Sequence, residues 1–185
     1  MGRPRNAPRL ALLALGFYLA HALELLLRDE GIDLLWICNL AGPLLALALG
    51  VGAPRLLAMA FLWLLFGTPL WLSDMLMGGE VIVTSFASHL GGIGCAWIAL
   101  RRWGWPGSIW PLATASAWAM LGLTRLLTPP ERNVNVVFRV QPGWESVFTD
   151  HKLYLLLLLS SNLLAFFVLD RVLARALRGR RDATA

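Results

Sequence analysis

The feature that most constrains this chain is the recurrence of apolar runs about as long as a lipid bilayer is thick. A spanning helix needs roughly 20 consecutive apolar residues. Six stretches qualify, at about 9–27, 33–51, 55–75, 81–100, 108–127 and 152–173. Compact polar breaks separate the first five: Arg28-Asp29-Glu30-Gly31, Gly52-Ala53-Pro54-Arg55, Gly78-Gly79-Glu80, and the segment from Arg101 to Pro106. The remaining connection, 128–151, is the one long loop. Only 15% of the 185 residues are charged, against about a quarter in soluble domains, so lipid is the expected solvent. We expect an all-α bundle of six transmembrane helices forming a single domain over 1–185. The first run carries a small-x-small triplet at Ala20-His21-Ala22, as a signal peptide does; we read it as a retained first helix.

The net charge of +5 would suit nucleic acid, but the basic residues sit at loops and termini rather than in a stripe interleaved with aromatics. Nucleic acid is therefore not an expected partner. Their placement instead orients the bundle. With both termini on the cytoplasmic side, that side receives Arg3, Arg5, Arg9, Arg55, Arg101, Arg102, Arg171, Arg175, Arg178, Arg180 and Arg181. That is eleven of the sixteen basic residues. The outer side receives all the acids but Asp170 and Asp182. The Arg-heavy, Lys-poor balance suits a bacterial inner membrane, and the basic tail from Arg171 to Arg181 suits anionic inner-leaflet lipid.

Ionisable and imidazole groups within a span cost about 2.5–3.5 kcal/mol at the helix centre, and usually face the bundle interior. Here they gather in the outer half. His21 and Glu24 lie in the last two turns of the first run, and Asp74 ends the third. Cys38 and Asn39 sit roughly 8–9 Å into the second at 1.5 Å per residue, and Ser85, Ser88 and His89 up to roughly 12 Å into the fourth. Arg125 closes the fifth. Segments distant in sequence thus deliver polar groups to one slab, which predicts a cavity beneath the outer surface. Interhelical hydrogen bonding alone would use the same residue types.

Within that slab Cys38 and His89 form the pair with most chemistry. An imidazole within reach turns a thiol into a nucleophile that takes an acyl group and passes it to water or an alcohol. Asn39 would orient the imidazole or stabilise an oxyanion, and Asp74 is the alternative orienter. The long loop, with Asn133, Asn135 and Arg139, joins Arg125 as a lid that receives a lipid phosphate. His21-x-x-Glu24 shares one helix face and suggests a proton relay or polar packing beside the substrate. No metal or other cofactor is expected.

Three segments carry a family resemblance. Asp33-Leu34-Leu35-Trp36-Ile37-Cys38-Asn39-Leu40 resembles the Cys-Asp/Asn motif of YwaF-like bacterial integral membrane proteins. Phe86-Ala87-Ser88-His89 resembles their aromatic segment ending in Ser-His, and Asn133-Val134-Asn135 is similar to the Asn-containing motif before the last span. Trp36 stands where the family's His is expected, and Asn39 where Asp is usual. Vertebrate relatives of that family include a transmembrane phospholipid transacylase and, more remotely, membrane hydrolases of fatty-acid esters. The resemblance implies acyl transfer or lipid hydrolysis, with Cys38 as nucleophile and His89 as base. Two other readings stay open: a small transporter or channel using His21, Glu24, Asp74 and His89, and a non-catalytic lipid-binding subunit.

Overall fold

The computed structural model describes residues 6–178. Among them the chain is all-helical. Its long elements are α1 (Ala7–Leu27), α2 (Ile37–Val51), α3 (Pro54–Leu76), α4 (Val83–Trp103), α5 (Trp110–Leu127) and α6 (His151–Arg178). Four of these, α1, α3, α4 and α6, are long and apolar enough to cross a membrane. The 15-residue α2 is shorter, and α5 carries Arg125 and several hydroxyl side chains within its 18 residues.

The second helix begins later than the apolar run suggests. Gly31–Leu35 forms a short 3-10 turn and Trp36 is extended, so helix starts only at Ile37. Cys38 and Asn39 therefore occupy the first turn of α2 rather than lying two turns inside it. Hydrophobicity alone does not separate a membrane-edge turn from the helix that follows. At the other end Gly52 takes φ +75°, which closes α2 on the Ala48 carbonyl, and Pro54 opens α3 at once.

Chain order fixes two ends of the bundle. At one end lie the close of α1, the start of α2, the close of α3, the start of α4 and the 128–150 loop; the other carries Arg9, Arg55, Arg101 and Arg102. The two halves are built differently. Toward the arginine end the interior is solid: Leu45, Leu49, Leu57, Phe61, Leu62 and Leu100 are at most 2% exposed. Alanines at 48, 58, 60, 96 and 99 let the backbones approach closely there. Asp170 of α6 accepts from Trp105 Nε1 and Ile109 N, both at 2.9 Å, and so pins the turn before α5. Outward faces remain leucine-rich, with Leu12, Leu19, Leu23, Leu156 and Leu164 all exposed. The loop-end half is hollow and polar. Arg180 and Arg181, two of the five arginines of the predicted lipid-binding tail, lie outside the described residues, as do Arg3 and Arg5.

Candidate functional site

The hollow half encloses a cavity of about 730 Å³, within the range of small-molecule and lipid sites. All six helices and the 128–150 loop contribute to its wall. Trp63, Phe66, Trp118, Leu157 and Phe166 give it an apolar floor, while His21, Cys38, Asn39, Asp74, Ser85 and His89 line it nearer the loop. Residues as far apart in sequence as His21 and Phe166 thus line one cavity.

Cys38 is placed by its neighbours on three elements. It is the second residue of α2, and its side chain packs on α3 at Gly67: a Cβ added there would lie 3.1 Å from Cys38 Cβ. Its sulfur lies beside the backbone N–H groups of Cys38 and Asn39. The first amides of a helix lack intrahelical acceptors and carry the positive end of its dipole, so they suit an oxyanion. The α2 terminus itself is capped from the loop. Asn135 Oδ1 accepts from Ile37 N (2.9 Å), and Asn135 Nδ2 donates to Leu35 O (3.0 Å) and Thr124 Oγ1 (3.4 Å). Asn135 holds φ +54°, a left-handed conformation that asparagine tolerates better than most residues.

His89 sits in a π-helical turn, Ala87–Gly91, inside α4. Such turns widen a helix by one residue and concentrate at functional sites. A Cβ on Gly91 would fall 2.4 Å from the Phe17 ring, so glycine there permits α1 to close on this turn. His89 Nδ1 lies 2.9 Å from Ser85 O and 3.3 Å from Ser85 Oγ. A carbonyl only accepts, which assigns the proton to Nδ1. In the neutral ring Nε2 is then a lone-pair acceptor. The ring stacks on Trp71 with centroids 4.4 Å apart and planes within 6°. Nε2 is buried and has no hydrogen-bond partner among the described residues. Cys38 and His89 share the cavity wall without a hydrogen bond between them.

The structure redistributes the other predicted roles. Neither Asn39 nor Asp74 touches His89. Asn39 Nδ2 donates to Asp33 O (2.8 Å), while its Oδ1 is buried without a partner. Asp74 accepts from Gln141 Nε2 at 2.5 Å and ties the loop to α3. The imidazole is oriented by Ser85 O and Trp71 instead. Nor do the expected phosphate contacts form a clamp. Arg125 is exposed, donates to Val137 O and lies over the Phe138 ring; Arg139 donates to Glu131 O. Asn133 folds the loop on itself, accepting from Phe138 N and Arg139 N, both at 3.0 Å. Both asparagines satisfy backbone groups in a loop with five consecutive buried residues from Asn133 to Val137.

Three contributors escape sequence reasoning. Arg132, not Arg125 or Arg139, is the guanidinium at the cavity, 2.5 Å from Asp33. Burial holds the Asp33 carboxyl above the ordinary aspartate value, with Arg132 pulling it back. Trp71 is one of nine tryptophans, and nothing in its local pattern marks it as a platform for imidazole. Asn162 of α6 lines the cavity at 7% exposure with its Oδ1 unpartnered, and it sits amid leucines that signal only lipid. His21 also lines the cavity, and Glu24 lies behind it; Thr84 stands between their side chains.

No family model, no curated protein and no solved structure matches this chain.

Proposed function

We propose that this chain is a membrane-embedded acyltransferase or lipid hydrolase that works on a phospholipid or fatty-acyl ester through Cys38 and His89. The observation that carries this reading is their convergence on one cavity, with His89 Nε2 buried, unpartnered and left as an acceptor by its own Nδ1–H bond. Contacts between nucleophile and base often tighten only when substrate binds. An acyl chain suits the apolar floor of Trp63, Phe66, Trp118 and Phe166, with its ester near Cys38.

In this scheme His89 Nε2 takes the thiol proton and the sulfur attacks the ester carbon. The oxyanion meets the Cys38 and Asn39 amides at the start of α2. The C–O bond then breaks, leaving an acyl-thioester on Cys38, which water or an acceptor alcohol cleaves. The YwaF-like motifs around Cys38, His89 and Asn133-Val134-Asn135 agree with this chemistry.

We further propose six spans with both termini cytoplasmic, in a bacterial inner membrane. Supporting this, successive helices alternate between the two bundle ends, and the end away from the long loop collects the arginines. The basic tail is proposed to rest on anionic lipid. The solid half argues against a channel: its buried polar residues among those described are Thr114 and Asp170, and Asp170 is taken up by Trp105 and Ile109.

The test is phospholipid turnover by purified protein in nanodiscs, comparing wild type with Cys38→Ala and His89→Ala. We expect at least a hundredfold loss in each with unchanged melting and elution. Turnover that survives in folded Cys38→Ala ends the enzymatic reading and leaves a lipid-binding subunit.

A further inference from the structure

His21, Thr84 and Glu24 form a second proton-handling group that the Cys38–His89 scheme does not use. The Thr84 hydroxyl lies 3.0 Å from His21 Nδ1 and donates to Glu24 Oε2 at 2.5 Å. A hydroxyl has one proton. Since that proton goes to the Glu24 carboxylate, Oγ1 must accept from His21 Nδ1–H. The direction of the wire is therefore set: Nδ1 keeps its proton in either state of the ring, and protonation changes only at Nε2. His21 is 2% exposed and lines the cavity, and with Nδ1 committed, Nε2 is its remaining polar atom. The Asn39 side chain is its polar neighbour there.

Acylation takes a proton from the thiol and gives one to the departing alkoxide. One imidazole can do both, and two imidazoles on one cavity allow the tasks to be divided. We propose that His21, anchored to Glu24 through Thr84, is the general acid that delivers a proton to the leaving oxygen. The inference rests on the acyl-transfer reading above. In the first half-reaction the Cys38 proton moves to His89 Nε2, the S–C bond forms and the ester C–O bond breaks. The leaving oxygen takes the proton from His21 Nε2. In the second half an incoming water or alcohol gives its proton to His21 Nε2 as its oxygen bonds the acyl carbon. The S–C bond breaks, and the thiolate recovers its proton from His89. Both imidazoles end as they began.

A leaving group that needs no proton separates this role from a structural one. First-turnover release of alcohol would be followed for two esters of the same short acyl chain, one with a nitrophenyl and one with a glyceryl leaving group. The protein would be the full chain in micelles, compared with His21→Gln and Thr84→Val. We expect the ratio of glyceryl to nitrophenyl acylation rates to fall about a hundredfold in both variants, the scale of general acid catalysis. His89→Gln should slow both esters alike. An unchanged ratio in His21→Gln or Thr84→Val, whether both rates fall together or neither does, overturns the role of His21 alone. Absence of turnover of both esters by wild type overturns the acyl-transfer reading, and this inference with it.

Discussion

Replacing Asn135 by glycine should loosen the α2 terminus and release Cys38 from its fixed position. Glycine keeps φ +54° accessible, so the substitution isolates hydrogen bonding from backbone strain. It removes the acceptor of Ile37 N (2.9 Å) and the donor to Leu35 O (3.0 Å), along with the longer contact to Thr124 Oγ1. Loss of a helix cap costs about 0.5–2 kcal/mol, and a half-buried carbonyl left without its protein partner about 1 kcal/mol. Together these give a loss of about 1.5–3 kcal/mol. Asn135→Asp retains an acceptor for Ile37 N–H but loses both donated bonds, so it should fall about midway. Melting in micelles measures the loss. Maleimide labelling in a Cys95→Ala background measures the freedom of the sole remaining thiol, and we expect it several-fold faster in Asn135→Gly. A loss below about 0.5 kcal/mol, the scale of a neutral surface change, together with wild-type labelling, would refute the capping role.

Two further substitutions probe the same site. Gly67→Ala places a methyl 3.1 Å from Cys38 Cβ, so the cysteine must move by a few tenths of an ångström. The helix gains about 1 kcal/mol from alanine while overpacking costs about 1–3 kcal/mol. Melting should change little while lipid turnover drops; unchanged turnover would show that Cys38 need not sit there. Asp33 gives a pH dependence with a defined sign. Its carboxyl, raised by burial against the pull of Arg132, holds its proton more tightly folded than unfolded. Its contribution to stability is therefore present below the ordinary aspartate value of about 4 and lost as pH rises through the folded value. Asp33→Asn should flatten the melting temperature across that window, and an unaltered slope would contradict this origin.

The helical frame and the polar slab were legible because both follow from one-dimensional patterns. Apolar runs of bilayer length gave the helices, and residue counts from their ends gave the shared depth of His21, Cys38, Asp74, Ser85 and His89. What escaped depends on direction rather than depth. The Asn133-Val134-Asn135 stretch stood out by composition, yet its side chains face backbone amides instead of a ligand. Left-handed backbone at both asparagines and at Val136 (φ +53°) folds that loop inward. Arg132 and Arg139 flank the same stretch and are alike in sequence; only the fold sends the former to Asp33 and the latter to Glu131 O. Trp71 and Asn162 are ordinary span residues until α3 and α6 turn them into the cavity. The start of α2 was misjudged because Asp33 to Trp36 is hydrophobic enough for a span but is held as a 3-10 turn and an extended residue.

Mass spectrometry of the intact protein after brief exposure to a nitrophenyl fatty-acyl ester bears most directly on Cys38 as nucleophile. We expect one acyl group per chain, removable by neutral hydroxylamine and mapped to Cys38, accumulating more slowly in His89→Ala. Labelling confined to Cys95, or an unmodified Cys38 while the ester is being turned over, would contradict it.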